Sequence, residues 1–195
     1  MGEDSRPSVI ILFGGKRKCG KDYITDLLLK RLNPDDAVIV RLSAPIKHHW
    51  SKENNLDVDE LLGSSDYKEN HRKAMVAWSE QIRAKDYGYF CRAAIDMVPD
   101  AHKEKVWIVS DARRRTDLKW FRESYDQSVI KTVRVVSTDA VRKDRGWTFV
   151  EGVDDAETEC DLDSVEDWDM IFTNNNDDKE EFEKQMTSLV QMCCS

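Results

Sequence analysis

Short apolar segments alternate along the chain with longer amphipathic ones. The apolar segments are rich in β-branched residues and predict strands at Val9–Phe13, Ala37–Leu42, Lys105–Ser110, Lys131–Ser137 and Asp169–Thr173. The amphipathic segments predict helices at Lys21–Leu32, within Ala44–Met97, at Thr116–Tyr125 and at Lys179–Met192. This alternation predicts an α/β fold of three layers, in which a five-stranded parallel sheet carries helices on both faces. Ligands of such sheets bind beyond the carboxyl ends of the strands.

Composition narrows the range of partners. The 195 residues include 30 basic and 38 acidic side chains, and the net charge of −8 argues against binding nucleic acid or an anionic membrane. The five cysteines form no Cys-x-x-Cys pair, which predicts a reducing compartment without disulfides or a zinc site. No apolar run approaches the ~20 residues that span a bilayer. We therefore expect a cytosolic protein with one domain, and a monomer because no spare apolar surface is evident.

The segment Gly15–Asp22, GKRKCGKD, has the pattern Gly-x4-Gly-Lys between a predicted strand and a predicted helix. Glycines at these positions let successive N–H groups point at phosphate oxygens, and the helix adds its positive N-terminal end. Lys21 is expected to reach the β- and γ-phosphates of ATP. Asp22 replaces the usual Ser or Thr ligand of magnesium, and is predicted to hold Mg²⁺ directly or through water.

This loop carries more positive charge than one nucleotide requires. Four of the six residues Lys16–Lys21 are basic, and clustered like charges are unfavourable unless anions offset them. The surplus indicates a second phosphate-bearing molecule nearby, or charge gathered for a transition state. A solvated basic turn is the alternative for Arg17 and Lys18.

The helix that begins near Tyr67 has a basic stripe beside its apolar face. At about 100° per residue, one arc holds Lys68, Arg72, Ser79 and Arg83, the next holds His71, Met75, Trp78 and Ile82, and the water-facing arc holds Glu69, Lys73 and Glu80. Arginines in a row suit a ligand with both carboxylate and phosphate, and Lys47 and Arg92 could join them. The region of about residues 44–98 is therefore predicted to bind the acceptor. Ordinary i,i+4 pairing with glutamates is the alternative.

The third predicted strand is followed by groups suited to phosphoryl transfer. Asp111 stands where a carboxylate at a strand's end holds Mg²⁺ or its waters, with a capping role as the alternative. Arg113–Arg115 begin a helix and oppose its dipole, so they are predicted to stabilise charge on the moving phosphoryl group.

A lid is predicted over about residues 138–160. Its Arg142 and Arg145 could close over the site. The acidic segment Glu151–Asp167 is expected at the surface, and its pair Asp154–Asp155 either shapes the lid, contacts magnesium or is solvated.

Taken together, the motifs resemble the animal-type phosphomevalonate kinases over about residues 8–190. The resemblance is carried by GKRKCGKD, LSAPIK, YKENHRK, GYFCR, VSDARR with DLKWF, TVRVV and RGWTFVEGVDDAETEC, and by the Asn pair after the last strand. It implies a P-loop kinase fold like that of nucleoside monophosphate kinases. It also implies reversible transfer from ATP to (R)-5-phosphomevalonate, giving ADP and 5-diphosphomevalonate in the mevalonate route to isoprenoids and sterols.

The resemblance also implies roles for individual residues. Together with the loop and strand positions described above, the resemblance gives catalytic roles to Lys21, Arg17, Lys18, Asp111, Arg113, Arg114, Arg134 and Arg145. ATP contacts fall on Lys16, Arg17, Lys18, Cys19, Gly20, Lys21, Asp22, Arg145, Asn175 and Gln185. Acceptor contacts fall on Lys47, Lys68, Arg72, Arg83, Arg92 and Asn174. The terminal Cys193-Cys194-Ser195 is not the peroxisomal tripeptide that some relatives have.

Two other functions stay open at this point. One is a kinase of a different small anion, such as a nucleoside monophosphate or a sugar acid. The other is a regulatory module that binds nucleotide without catalysis. The arginine set argues against the module, because binding alone does not require arginines for a transition state.

Overall fold

A computed structural model of the chain describes residues 7–62, 66–175 and 178–194, without the side chains of residues 60, 62 and 66–70. Within this part, the predicted five-stranded parallel sheet is confirmed, with strand order β2-β3-β1-β4-β5. The strands are β1 (Val9–Gly14), β2 (Ala37–Val40), β3 (Val106–Ala112), β4 (Ile130–Val136) and β5 (Met170–Thr173). The predicted strand ends differ from these by one or two residues.

Helices connect the strands mostly as the amphipathic pattern predicted, although the two within residues 138–160 lie where only a lid loop was predicted. They are α1 (Lys21–Arg31), α2 (Ala44–Asn54), α3 (Val58–Leu62), α4 (Asp66–Lys85), α5 (Tyr89–Asp96), α6 (Arg115–Ser124), α7 (Asp139–Asp144), α8 (Glu157–Cys160) and α9 (Lys179–Cys193). Short 3₁₀ turns lie at Ala101–Lys103 and Gln127–Val129. The long helical region before β3 is thus divided into α2, α3, α4 and α5.

Alternate residues of β1 pack on opposite faces of the sheet. Ile11 and Phe13 face a core that α1 and α9 complete. Ile10 and Leu12 face a second core, to which α5 and α6 contribute. A strand buried on both faces reads as a continuous apolar run, which explains the sequence VIILF.

Strand register sets the position of the candidate site. Gly14, at the end of β1, pairs with Ala112 of β3 and with Arg134 of β4. The loop after β1 therefore starts between two strands that carry predicted site residues at the same edge of the sheet. Among the residues that the structure describes, no helix combines the length and apolar character that a membrane crossing requires.

Candidate active site

The two outer glycines of the predicted phosphate loop occupy crowded positions. Gly20 precedes α1 with a φ of 87°, and a Cβ there would lie 2.2 Å from Nδ2 of Asn174. A Cβ on Gly15 would lie 2.8 Å from both Sγ of Cys19 and the carbonyl oxygen of Val135. Glycine is required at Gly20 for its backbone angle and for space, and at Gly15 for space.

The carbonyl oxygen of Cys19 anchors the loop to the ends of β4 and β5. It accepts hydrogen bonds from Nδ2 of Asn174 at 2.9 Å, from Oγ of Ser137 at 3.0 Å and from Nη1 of Arg145 at 3.0 Å. Nη2 of Arg145 also donates to the carbonyl oxygen of Asn174 at 2.9 Å. The lid arginine and the Asn after β5 therefore meet at the phosphate loop.

Lys21 is the first residue of α1 and is only 7% exposed. Its Nζ lies 3.6 Å from Oδ1 of Asp22, whose side chain is 81% exposed. Helix N-termini leave N–H groups without intrahelical acceptors, and they favour anions. Lys21 and the start of α1 thus supply positive charge at the end of the loop, with an exposed carboxylate beside them.

Asp111 lies within β3, which continues one residue beyond it. Its Oδ1 accepts the Leu42 N–H at 2.6 Å and its Oδ2 accepts the Ser43 N–H at 3.0 Å. Burial opposes its ionisation, but the charge of Lys21 and the hydrogen bonds from Ser43 outweigh burial, so the pKa of Asp111 is held below its ordinary value. Asp111 is a buried anion near Lys21 that also caps the turn before α2, and metal ligation by it stays a prediction.

Of the predicted acceptor residues, Arg83 and Lys47 adjoin the segment after β3. Nη1 of Arg83 lies 2.5 Å from Oδ1 of Asp117 in α6, and its guanidinium packs 5.2 Å from the ring centre of Phe90. Burial lowers the pKa of Lys47, and the nearby positive charge of Arg113 lowers it further, against the opposing charge of Asp111. Lys47 is therefore a partly buried cation in a region that already holds an arginine.

Three further predicted acceptor residues lie on α4 and α5. Arg92 is half exposed and forms an ion pair with Asp86. Arg72 is partly buried on α4. Lys68 belongs to α4, but its side chain lies outside the described residues. Acceptor binding by these three stays a prediction.

Glu80 of α4 was predicted to face water, but it pairs with the buried Arg114. Nη2 of Arg114 lies 2.5 Å from Oε1 of Glu80, and the side chain of Glu80 is only 37% exposed. Arg114 itself is 4% exposed, and its Nε has no hydrogen-bond partner among the described residues. The pairing of Arg114 with Glu80 of α4 is expected, because a buried guanidinium is unfavourable without an opposite charge beside it.

The acidic segment is largely exposed, as its composition predicted, but some of its carboxylates turn inward. Asp154 is buried, and its Oδ2 lies 2.9 Å from Nη1 of Arg17. Trp147 Nε1 donates to the other oxygen of Asp154 at 2.9 Å. Asp163 lies 2.6 Å from both Lys16 and Arg134, one oxygen to each cation. Composition indicated solvation, but these carboxylates are the counter-charges of the basic loop.

Both lid arginines contact the phosphate loop. Nε of Arg142 donates to the carbonyl oxygen of Arg17 at 2.9 Å, and its guanidinium lies 3.8 Å from the ring centre of Trp147. Arg145 contacts Cys19, as described above. The basic residue Arg115 instead turns away from this region, and contacts Asp161 and Ser164.

Asn175 and Gln185, which were predicted to contact ATP, form hydrogen bonds to the backbone of neighbouring segments. Oδ1 of Asn175 accepts the Thr138 N–H at 2.9 Å. Oε1 of Gln185 accepts the Thr173 N–H at 2.7 Å, and its Nε2 donates to the carbonyl oxygen of Thr173 at 3.3 Å. Gln185 thereby joins α9 to β5. Nucleotide contacts by these two side chains stay predictions.

Asp117 is a site residue that the sequence interpretation missed. It is fully buried, and its Oδ2 accepts the N–H groups of Arg113 and Arg114 at 3.0 Å each, while Oδ1 binds Arg83. Its place as third residue of α6 is that of a capping-box acid, which the sequence does signal. The bond to Arg83, 34 positions away, has no such local signal.

The parallel sheet and the glycine-bounded loop before α1 define a kinase of the P-loop class. The family model for phosphomevalonate kinase matches residues 13–127. A phosphomevalonate kinase of Drosophila melanogaster is 46% identical over 169 residues, which cover 86% of this chain and 89% of that protein. The chain belongs to the phosphomevalonate kinase family.

Solved kinases are similar at much lower identity. A shikimate kinase from Bacteroides thetaiotaomicron is 14% identical, with a TM-score of 0.46, over 96% of this chain and 99% of that chain. A gluconokinase from Sinorhizobium meliloti 1021 is 13% identical, with a TM-score of 0.48, over 96% of this chain and 90% of that chain.

Proposed function

We propose that this protein transfers the terminal phosphoryl group of ATP to (R)-5-phosphomevalonate, giving ADP and 5-diphosphomevalonate. The observation that carries the proposal is the gathering of cations from separate segments at one edge of the sheet. Lys21 follows β1, Arg113 and Arg114 follow β3, and Arg134 lies on β4. On a chain with a net charge of −8, such a cluster is suited to two anionic substrates.

The loop Lys16–Asp22 is the proposed site of the ATP phosphates, with Lys21 at the group that is transferred. Gly15 and Gly20 lie where a Cβ would clash, so only glycine fits there. The loop backbone therefore carries no side chain at these two positions, and phosphate can approach it closely. The start of α1 adds its N–H groups and dipole. Arg145 reaches the loop from the lid, where it can approach ATP.

Mg²⁺ fits this site only together with the phosphates. Among the described residues, no group of three or more His, Cys, Asp or Glu could hold a metal ion. Asp22 and Asp111 are the proposed contributions of the chain, directly or through water, because Mg²⁺ usually keeps several waters and substrate oxygens as ligands. When bound, Mg²⁺ would neutralise charge on the phosphate oxygens.

The acceptor is proposed to lie between the phosphate loop and the helical region α2–α5. Lys47 and Arg83 are placed beside the Arg113–Arg114 turn, and Asn174 lies against the loop. Phosphomevalonate carries a carboxylate at one end and a phosphate at the other. A row of separated cations can hold both ends of such a molecule.

The reaction requires positioning and charge stabilisation more than proton transfer. The attacking oxygen belongs to a phosphate that is already anionic near neutral pH, so a general base is not needed. Arg113 and Arg114 are proposed to stabilise the negative charge of the moving group. Lys21 is proposed to follow that group from ATP to the acceptor.

A coupled assay of ADP release tests the substrate assignment. Phosphomevalonate, mevalonate, AMP, UMP and gluconate are offered separately with Mg²⁺ and ATP, and we expect turnover with phosphomevalonate alone. Turnover of AMP, UMP or gluconate but not phosphomevalonate would assign a different small-anion kinase. ATP binding without turnover of any acceptor would instead indicate a regulatory module.

We also propose that the protein works as a cytosolic monomer. The scattered cysteines fit a reducing compartment, and all five are free thiols in the described part of the chain. A monomer is proposed because no spare apolar surface is evident in the sequence.

A further inference from the structure

Glu159 joins two parts of the candidate site that are far apart in sequence. Its Oε2 accepts the backbone N–H of Arg17 in the phosphate loop at 2.9 Å. Its Oε1 lies 2.6 Å from Nη1 of Arg113, which follows β3. One carboxylate of the short helix α8 therefore spans the phosphate loop and a predicted catalytic arginine.

Burial makes the negative charge of Glu159 energetically unfavourable unless both contacts form. The Glu159 side chain is 2% exposed, whereas that of Arg113 is 30% exposed. A buried carboxylate is unfavourable without charged and hydrogen-bonding partners, and Glu159 has one of each.

The contact with Glu159 leaves other donors of Arg113 available. The Arg17 N–H lies in the first half of the loop, four residues before Lys21 and the start of α1. Glu159 binds one terminal nitrogen of Arg113, and a guanidinium has five N–H donors. Arg113 can therefore be held at one edge while its other donors reach toward a phosphoryl group.

We propose that Glu159 is a positioning residue for phosphoryl transfer, which acts by holding Arg113 against the phosphate loop. This inference rests on the proposed function. Glu159 belongs to α8, which lies in the predicted lid. The two contacts of Glu159 therefore also link the position of the lid to the position of Arg113. Loss of the bridge should reduce the chemical step more than it reduces binding of either substrate, since an arginine displaced by about 1 Å can lower the rate about 100-fold.

Glu159→Gln tests this role, because the amide has nearly the same shape but no charge, and its NH₂ group would face a donor. We expect kcat to fall about 10- to 100-fold, while KM for ATP and for phosphomevalonate changes less than about threefold. Glu159→Asp keeps the charge with a shorter reach, so its kcat should lie between the two. Glu166→Gln is the matched control, because Glu166 is an exposed acid of the same segment.

A double-mutant cycle identifies the partner through which Glu159 acts. Arg113→Gln alone should lower kcat, and adding Glu159→Gln to it should change kcat less than about threefold further. Independent, multiplicative losses would contradict the proposed role. Faster hydrogen exchange at the Arg17 N–H of Glu159→Gln is expected as well, because that amide loses its acceptor.

The outcomes separate this inference from the proposed function. Wild-type protein without turnover of phosphomevalonate would overturn both. An active wild type with unchanged kcat in Glu159→Gln would overturn the positioning role alone, as would a change in KM without a change in kcat. If Glu159→Gln does not fold, Glu159→Asp carries the test, and a wild-type kcat in that variant contradicts the role.

Discussion

At the residue scale, buried carboxylates are arranged to face both backbone N–H groups and cations. Asp111 accepts two N–H groups before α2 and lies near Lys21. Asp117 accepts two N–H groups at the start of α6 and binds Arg83. Each carboxylate thus fixes the backbone around the site and balances a cation of the site at the same time.

Asp111 should make the stability of the protein depend on pH in acid. Its pKa is lowered in the folded state, so its contribution to stability is present above the unfolded pKa of about 3.9 and is lost as pH falls through the lower, folded pKa. We expect Asp111→Asn to lower the free energy of unfolding by about 1–3 kcal/mol at pH 7, with a smaller loss at about pH 3.

Urea titrations of wild type and variant between those two pH values measure the difference. Asp96→Asn serves as control, because Asp96 is exposed, and it should change stability little at either pH. An Asp111→Asn loss that stays constant down to about pH 3 would contradict an ionised Asp111 as the source of the stability.

At the element scale, the phosphate loop depends on its neighbours as much as on its own residues. The spacing of the glycines predicted the loop and the helix that follows it, because both depend on local backbone geometry. It did not predict that the Cys19 carbonyl oxygen would be held by Asn174, Ser137 and Arg145. Those donors come from the ends of β4 and β5 and from the lid, and only the folded sheet brings them to the loop.

Gly20→Ala should damage the loop more than its backbone angle alone explains. Any L residue at a φ of 87° is strained by about 1–2 kcal/mol, and here the new Cβ would also lie 2.2 Å from Nδ2 of Asn174. We expect a lower melting temperature and a weaker affinity for ATP.

Gly146→Ala separates the two causes. Gly146 has a similar φ of 79°, but a Cβ there would meet nothing within 4 Å. Its thermal unfolding should show only the cost of the backbone angle. Equal losses of melting temperature in both variants would show that contact with Asn174 does not matter.

At the scale of the whole molecule, acidic and basic residues from distant segments of the chain lie against one another. The loop and arginine cluster lies at one edge of the sheet, and the segment Glu151–Asp167 supplies Asp154, Glu159 and Asp163 as its counter-charges. The charge pattern along the chain shows both groups but not their pairing. Several cations of the predicted site are therefore already partly neutralised by carboxylates of the protein.

Ligand binding should stabilise the whole fold through Lys21. A non-hydrolysable ATP analogue with Mg²⁺, at about 100 times its Kd, should add about 2.7 kcal/mol to the free energy of unfolding. Lys21→Met should lose most of this increment at the same analogue concentration and show no turnover, while circular dichroism shows an intact fold.

Lys103→Met is the control for removal of a positive charge. Lys103 is an exposed residue that forms an ion pair with the exposed Asp100, away from the phosphate loop in sequence, so this variant should keep the increment. Stabilisation of Lys21→Met equal to that of wild type would argue against Lys21 as a phosphate ligand.

The sequence by itself determined the strands, the longer helical segments, the phosphate loop and the set of cations, because hydrophobic periodicity and glycine geometry are local properties. Only the tertiary structure decided which carboxylate meets which cation. Glu159 and Arg113 are 46 positions apart, and Arg83 and Asp117 are 34 apart. Such pairs depend on the strand order of the sheet and on how the lid crosses it, and neither is written in the spacing of charged residues.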